Sequence, residues 1–234
     1  MVKLNIGAGI TYIPGFTNVD VAPYADVTID LNKDKLPFED DSVDLVFSYA
    51  TLEHIEDYLG ALAEIHRVLK HGAPLLVGLP YVSLTYYHQV NPYHLHDFNE
   101  SSFDFFDPRK LRGSAAEEAS EQSTILFRKA FHRYHYMGRF RLLPQPLQEW
   151  SRRHLLNTVD VIDIGLVAIK DEESDLSFDP HALEAEFDEL LAARRRYVPL
   201  ERHDGSPAQI SRFRRLARHG LALGATGERS VYRS

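Results

Sequence analysis

The chain has 234 residues, 44% of them hydrophobic, which is enough for one α/β domain with a substantial core plus an extension. It contains no cysteine, which excludes disulfides and thiolate metal sites, and its net charge of −8 argues against nucleic acid as the main partner. No apolar run approaches the roughly 18 residues of a membrane span. Because the N-terminus leads directly into a strand and leaves no room for a signal peptide, we expect a cytoplasmic protein.

The first half of the chain contains short apolar segments that predict buried strands of a parallel sheet. In chain order these segments are residues 2–7, 17–21, 27–30, 44–48 and 74–79. Between the last two, apolar residues recur at three- and four-residue steps from Tyr58 to Lys70, which predicts an amphipathic helix that ends at Gly72.

The second half completes the predicted fold. Residues 125–131 and 134–143 are expected to form a sixth strand and its flank, as two separate segments. Residues 158–170 are expected to form a late strand, and residues 179–196 a helix that runs from acidic to basic. The pattern predicts an α/β, Rossmann-like domain over residues 1–170, with a mostly parallel seven-stranded sheet flanked by helices. A helical, arginine-rich extension over residues 171–234 follows it.

The extension is strongly basic. Residues 191–234 carry ten arginines against three acids. Such a segment is expected to dock on the acidic remainder of the chain or on a neighbouring subunit, which makes a homodimer one expectation. Binding of an anionic glycan, lipid or nucleic acid is the alternative.

The first functional signal is the turn Gly7-Ala8-Gly9 after the first strand, followed by Asp20 at the end of the second. A dinucleotide fingerprint needs a third glycine and an acid about 20 residues further on. Here Tyr12 occupies the position of the third glycine and Asp20 comes 13 residues after Gly7. The interrupting Pro14-Gly15 leaves no phosphate-binding helix, so the loop favours a nucleoside ligand without a phosphate, such as S-adenosylmethionine.

Together with later blocks, this segment resembles the class I S-adenosylmethionine-dependent methyltransferases, and in particular a compact bacterial branch with a short Pro-Gly link. The later blocks are Asp30-Leu31, Leu36-Pro37-Phe38, residues 41–48, Leu52-Glu53-His54 and residues 64–73. The resemblance covers residues 1–100 well and 124–170 weakly. It departs at His71-Gly72-Ala73, where the family has Pro-Gly-Gly, and at a polar insertion over residues 107–123.

The resemblance implies a cofactor, S-adenosyl-L-methionine, that is released as S-adenosyl-L-homocysteine. Asp20 would accept hydrogen bonds from the ribose, Asp30 would bind the adenine amino group with the Leu31 amide facing the ring, and Ser48 would lie near the methionine. The full set of implied cofactor residues is Gly7, Ala8, Gly9, Asp20, Val21, Asp30, Leu31 and Ser48.

Residues 81–123 follow a predicted strand and form the expected substrate-loop region. His94 and His96 would share one face of an extended segment, and His54 lies in the loop after the fourth strand. A histidine is a natural general base at neutral pH, so these three are the catalytic candidates. Metal binding by His88, His94 and His96 with Asp97 stays open as an alternative, as does an ordinary loop role. The spacing matches no named zinc motif, and no metal is expected.

The predicted function is O-methylation of a sugar, glycan or small-molecule hydroxyl, with a histidine as base, in polysaccharide or secondary-metabolite biosynthesis. The alternative is a non-catalytic scaffold or partner subunit that keeps the methyltransferase fold. A nicotinamide oxidoreductase is disfavoured by the loop spacing.

Overall fold

The computed structural model describes residues 1–23, 25–85, 91–110, 124–171 and 176–194, all of which lie in one compact unit, Met1–Tyr197. The strands are β1 (Lys3–Ile6), β2 (Thr17–Asp20), β3 (Val27–Thr28), β4 (Leu45–Tyr49), β5 (Pro74–Pro80), β6 (Phe127–Tyr136) and β7 (Val159–Ala168). The helices are α1 (Tyr58–Val68), α2 (Gln145–His154) and α3 (Pro180–Arg194), and short 3₁₀ turns span Leu52–His54, Asp104–Phe106 and Gly138–Leu142.

The strands form one sheet in the order β3-β2-β1-β4-β5-β7-β6. Strands β1 to β5 run parallel to one another, and β7 runs antiparallel to both β5 and β6. The predicted Rossmann-like, mostly parallel seven-stranded sheet is thereby confirmed. The strand order reverses between β1 and β4, and an open α/β sheet binds ligands in the crevice at such a point.

Each face of the sheet has its own core because side chains alternate along a strand. On β4, Val46 belongs to the cluster that buries the apolar stripe of α1, whereas Phe47 packs against Phe187 of α3 with ring centroids 5.6 Å apart. Asp57 caps the N-terminus of α1, because its carboxylate accepts a hydrogen bond from the Gly60 amide.

The loop between β1 and β2 is fixed by hydrogen bonds of the buried side-chain amide of Asn18. The side-chain oxygen of Asn18 accepts hydrogen bonds from the Asn5 side chain (2.8 Å) and from the Ile13 amide (3.1 Å). Its side-chain nitrogen donates to the Phe16 carbonyl and to Asp26. These bonds satisfy polar groups of the loop between the two strands.

Two elements differ from the sequence expectation. Strand β6 is continuous from Phe127 to Tyr136 across a polar stretch in which two separate segments were expected. It is an edge strand with mostly half-buried residues, so its apolar pattern is weak. Helix α2 was not predicted, because Leu147 and Trp150 are its only large apolar residues besides Pro146, and among its residues only Ser151 is buried.

The C-terminal part of the chain is described as far as residue 194. Helix α3 packs on the sheet within the same compact unit, so the predicted boundary at residue 170 stays a prediction. The arginine-rich tail from residue 195 onward lies outside the described residues. Within the described ranges, no helix is long and apolar enough to span a membrane.

Candidate active site at the carboxyl edge of the sheet

A cavity of about 290 Å³ opens where β1, β2 and β4 end, at the point where the strand order reverses. Its volume is at the lower end of the range for small-molecule sites, about 300–1,000 Å³. The lining residues are Ile6, Gly7, Val19, Asp20, Val21, Ile29, Asp30, Leu31, Asn32, Thr51, His54 and Ile55. Five of the eight predicted cofactor residues are among them: Gly7, Asp20, Val21, Asp30 and Leu31.

Asp20 connects the cavity to the glycine turn. One carboxylate oxygen accepts a hydrogen bond from the Gly9 amide at 2.7 Å, and the other accepts one from the Ala22 amide at 2.9 Å. A carboxylate has about four acceptor positions, so each oxygen can still accept a hydrogen bond from a ribose hydroxyl. The aspartate therefore holds the turn in place and presents an acceptor to the cavity.

Gly7 and Gly9 both adopt positive φ, 68° and 56°. A Cβ at Gly7 would lie 1.9 Å from Oγ1 of Thr51, so this glycine is required by the protein's own packing. A Cβ at Gly9 would have open space within 4 Å. The steric demand at Gly7 thus comes from the loop after β4, independently of any ligand.

The opposite end of the cavity is formed by Asp30, Leu31 and Asn32. The Lys33 ammonium bonds the Asp30 carboxylate at 2.6 Å, and this contact lowers the pKa of Asp30, which stays ionised. Asn32 accepts a hydrogen bond from the Glu56 amide at 2.8 Å and so ties this turn to the segment before α1.

Three predicted cofactor residues lie outside the cavity lining. Ala8 and Ser48 are buried, and the Ala8 amide bonds the Val19 carbonyl. Gly9 is exposed, and its amide bonds Asp20. Their cofactor roles remain predictions.

The three candidate histidines, His54, His94 and His96, here called the histidine cluster, are brought together by two chain segments that run side by side. The Leu95 amide donates to the Glu53 carbonyl at 2.7 Å. Nδ1 of His54 lies 2.9 Å from the Tyr93 carbonyl oxygen, and Nε2 of His96 lies 2.7 Å from the Ile55 carbonyl oxygen. These contacts fasten residues 93–96 to residues 53–55, which form part of the cavity wall.

The carbonyl contacts determine which ring nitrogens can accept a proton. A carbonyl only accepts, so Nδ1 of His54 and Nε2 of His96 must each donate. In the neutral rings, Nε2 of His54 and Nδ1 of His96 then carry the lone pairs. The rings of His54 and His94 meet edge to face, with centroids 4.7 Å apart. His88 lies outside the described residues.

Glu53 is a site residue that sequence reasoning did not single out. Its side chain is only 1% exposed, and burial raises the pKa of its carboxyl to about 8. Its Oε1 lies 3.8 Å from Nε2 of His54. Glu53, His54 and His94 offer one oxygen and two nitrogens that all lie within 4.8 Å of one another.

Arg194, the last residue of α3, is the second residue that was missed. Its guanidinium lies over the Tyr49 ring at 5.0 Å and donates to the Tyr49 carbonyl at 3.1 Å. Burial lowers its pKa, against the opposing charges of Glu53 and Asp20. In the described part of the chain, its Nε has no hydrogen-bond partner. A half-buried guanidinium with an unpaired Nε at the ligand edge of a sheet is suited to an anionic group.

These features fit the expected cofactor. The apolar side chains of Ile29, Leu31 and Val21 suit an adenine ring, and the Asp20 carboxylate suits a ribose. The guanidinium of Arg194, which contacts Tyr49 at the end of β4, suits an amino-acid carboxylate.

Residues 17–77 match the family model described as "Methyltransferase domain". A search of curated proteins finds no match.

Solved structures with a similar fold include a putative methyltransferase from Haloferax volcanii, which was solved in complex with the Trm112 methyltransferase activator. That chain is 18% identical with a TM-score of 0.47, and the alignment covers 72% of this chain and 82% of the other. An S-adenosylmethionine-dependent methyltransferase from Archaeoglobus fulgidus is 14% identical (TM-score 0.46, coverage 70% and 85%). Phosphoethanolamine N-methyltransferase 2 from Haemonchus contortus, in complex with S-adenosyl-L-methionine, is 16% identical (TM-score 0.43, coverage 72% and 49%).

Proposed function

We propose that this chain is a class I S-adenosylmethionine-dependent methyltransferase that uses S-adenosylmethionine as cofactor and methylates a hydroxyl oxygen of a sugar, glycan or other small molecule. The observation that carries the proposal is the histidine cluster, which is fastened to the wall of the cavity at the switch point of the sheet. The cofactor supplies a methyl group activated by its sulfonium, so the protein has to supply orientation and removal of a proton.

The cavity residues and Arg194, which lies outside the cavity lining, would bind the cofactor in three parts. Asp20 accepts hydrogen bonds from the ribose hydroxyls, and Asp30 with the Leu31 amide recognises the adenine edge. Arg194 donates to the carboxylate of the methionine part. In this arrangement the anionic and cationic residues of the site are matched to the polar groups of one ligand.

The histidine cluster would take up the proton of the acceptor hydroxyl as the new oxygen–carbon bond forms. His54 lines the cavity, and the lone pair on Nε2 is left open by the Tyr93 contact. His96 adjoins the same wall through the Ile55 carbonyl and keeps its lone pair on Nδ1. An imidazole base contributes about 10²–10⁴-fold to such a reaction, and fixing the acceptor in line with the methyl group contributes more.

Methyl transfer from radiolabelled S-adenosylmethionine to a panel of sugars, glycans and phenols tests this proposal. We expect transfer to a hydroxyl, and a fall in kcat of about 10²–10⁴-fold in His54→Asn and in His96→Asn, with unchanged affinity for S-adenosylhomocysteine. His181→Asn, at an exposed position on α3, is the matched control and should keep full activity. Transfer to nitrogen or carbon only, or full activity in both variants, would contradict the proposed chemistry. A folded protein that binds the cofactor product and methylates nothing would favour the non-catalytic scaffold.

A further inference from the structure

A buried acid and two imidazoles converge beside the cofactor cavity. Glu53 lies in the 3₁₀ turn after β4, and His94 reaches it from the segment fastened alongside. One oxygen of Glu53 and one ring nitrogen from each of His54 and His94 lie within 4.8 Å of one another. Here this set is called the Glu53 triad.

Within the described residues, the burial of the Glu53 side chain is only partly compensated, by a hydrogen bond from its own amide and by the charge of Arg194. Its side chain is 1% exposed, and Oε2 has no hydrogen-bond partner in the described part of the chain. Its Oε1 faces Nε2 of His54 at 3.8 Å. Burying a carboxyl oxygen without a hydrogen-bond partner costs several kcal/mol in general. The unpartnered Oε2 of Glu53 therefore indicates a ligand or a further charge that would compensate this cost.

The contact that Nδ1 of His54 makes with a backbone carbonyl is of the kind that metal-binding histidines make. Nδ1 donates to the Tyr93 carbonyl, which orients the ring and leaves the Nε2 lone pair directed at the Glu53 side. Histidines that bind metals almost always donate their other ring N–H to a carbonyl, carboxylate or water in this way. The backbone hydrogen bond from Leu95 to Glu53 keeps the segment that carries His94 next to the segment that carries Glu53 and His54.

We propose that Glu53, His54 and His94 bind a divalent first-row transition-metal cation of the zinc type at the mouth of the cofactor cavity. Two imidazoles and one carboxylate form a donor set that suits Zn²⁺ and its neighbours, whereas Mg²⁺ and Ca²⁺ prefer oxygen donors alone. With bonds of about 2.1 Å, ligand atoms of a tetrahedral site lie about 3.4 Å apart. The Glu53 and His54 atoms, 3.8 Å apart, would therefore close by about 0.4 Å, and the pairs with His94, which lie within 4.8 Å, by at most about 1.4 Å. Three protein ligands leave one position for an exogenous oxygen.

The role of this cation rests on the proposed function, but its binding does not. The open position would take the acceptor hydroxyl and lower its pKa. His54 and His94 then serve as ligands, and His96, whose Nε2 is committed to the Ile55 carbonyl, is the remaining imidazole of the cluster that takes the proton on Nδ1. The site would select acceptors that can place an oxygen on the metal next to the methyl group.

Titration calorimetry of Zn²⁺ into the chelator-treated, tag-free full chain tests the proposal, with Co²⁺ absorption as a second readout of coordination. We expect one Zn²⁺ per chain, with affinity lowered more than about 10-fold in Glu53→Gln, His54→Asn and His94→Asn. The matched control is His96→Asn, which should keep the metal although it loses activity. The same samples are titrated with S-adenosylhomocysteine to establish that the cofactor cavity is intact.

The outcomes separate the two proposals. Protein that binds S-adenosylhomocysteine but no Zn²⁺, or Zn²⁺ binding that is unchanged in His54→Asn and His94→Asn, overturns the metal site and leaves the proposed methyl transfer standing. Zn²⁺ binding without any affinity for S-adenosylhomocysteine retains the metal site and overturns the proposed function.

Discussion

Gly7 and Gly9 occupy the same turn but are glycines for different reasons. Both have positive φ, which costs a side-chain-bearing residue about 1–2 kcal/mol. At Gly7 a methyl group would also overlap the Thr51 side chain, whereas at Gly9 it would meet nothing within 4 Å. The turn is therefore shaped by the loop after β4 as much as by its own sequence.

Gly7→Ala should destabilise the protein by about 3 kcal/mol, because backbone strain and overlap with Thr51 add together. Gly9→Ala should cost about 1 kcal/mol, because only the strain applies. Urea denaturation of both variants measures the difference. Adding Thr51→Gly should recover part of the loss in Gly7→Ala, and equal effects of the two alanines would show that the overlap does not matter.

Arg194 gives a test of cofactor orientation that needs no acceptor. If its guanidinium binds the methionine carboxylate, Arg194→Met should weaken S-adenosylhomocysteine by about 10-fold or more, in keeping with about 1.5–3 kcal/mol for hydrogen bonds to a charged group. It should leave the affinity for methylthioadenosine, which has no carboxylate, nearly unchanged. Calorimetry with the two ligands compares them, and an equal loss for both would place Arg194 in a purely structural role.

The candidate site residues that the sequence did not reveal are those whose contacts lie far away along the chain. Asp20 is recognisable because a strand delivers it at a fixed distance from the glycine turn. Arg194 reaches Tyr49 from 145 positions away, and nothing local marks it among the arginines near it. Glu53 is visible in the sequence only as the neighbour of His54, and its burial depends on how the segment around His94 packs.

At the scale of elements, the pairing of β6 with β7 buries a charged group. Asp163 on β7 is fully buried and accepts hydrogen bonds from Arg133 (2.8 Å) and His135 (2.6 Å) on β6. The hydrogen bond between His135 and Asp163 raises the pKa of His135 above its usual value. Arg133 also pairs with Asp188 of α3, so the network joins the edge of the sheet to the last helix.

Stability should therefore fall as the pH rises through the raised pKa of His135. The protonated ring is favoured in the folded protein, so its contribution is complete below about pH 6.5 and is lost above that as the ring deprotonates. His135→Gln should flatten this decline in urea-derived unfolding free energies, while His181→Asn should not. Asp160 and Arg133 flank the ring and do not titrate in this range in the unfolded chain. An unchanged slope in His135→Gln would contradict the assignment.

The elements that could be predicted are those with a strong local pattern. The buried strands and α1 have continuous or periodic apolar residues, and their positions agree with the prediction to within a few residues. Helix α2 was missed because it buries almost none of its residues, and β6 was expected as two segments because its half-buried polar residues leave little apolar pattern. The strand order, and with it the position of the cavity, depends on packing between distant segments.

At the scale of the molecule, one sheet positions the whole candidate site. The ends of β1, β2 and β4 supply the cavity, α3 supplies Arg194, and the segment after β5 supplies two of the three histidines. Donor and acceptor would thus meet at a single edge of the sheet. The proposed substrate region and the proposed cofactor site share the turn at residues 52–55.

Calorimetric titration of the full chain with S-adenosylhomocysteine tests the central claim most directly. The account predicts micromolar binding at one site that is abolished in Asp20→Ala and retained in Glu39→Gln, an exposed acid outside the cavity lining. Circular dichroism of each variant confirms that it is folded. A folded wild-type protein that shows no binding, or an Asp20→Ala variant that binds as tightly as the wild type, would contradict the account.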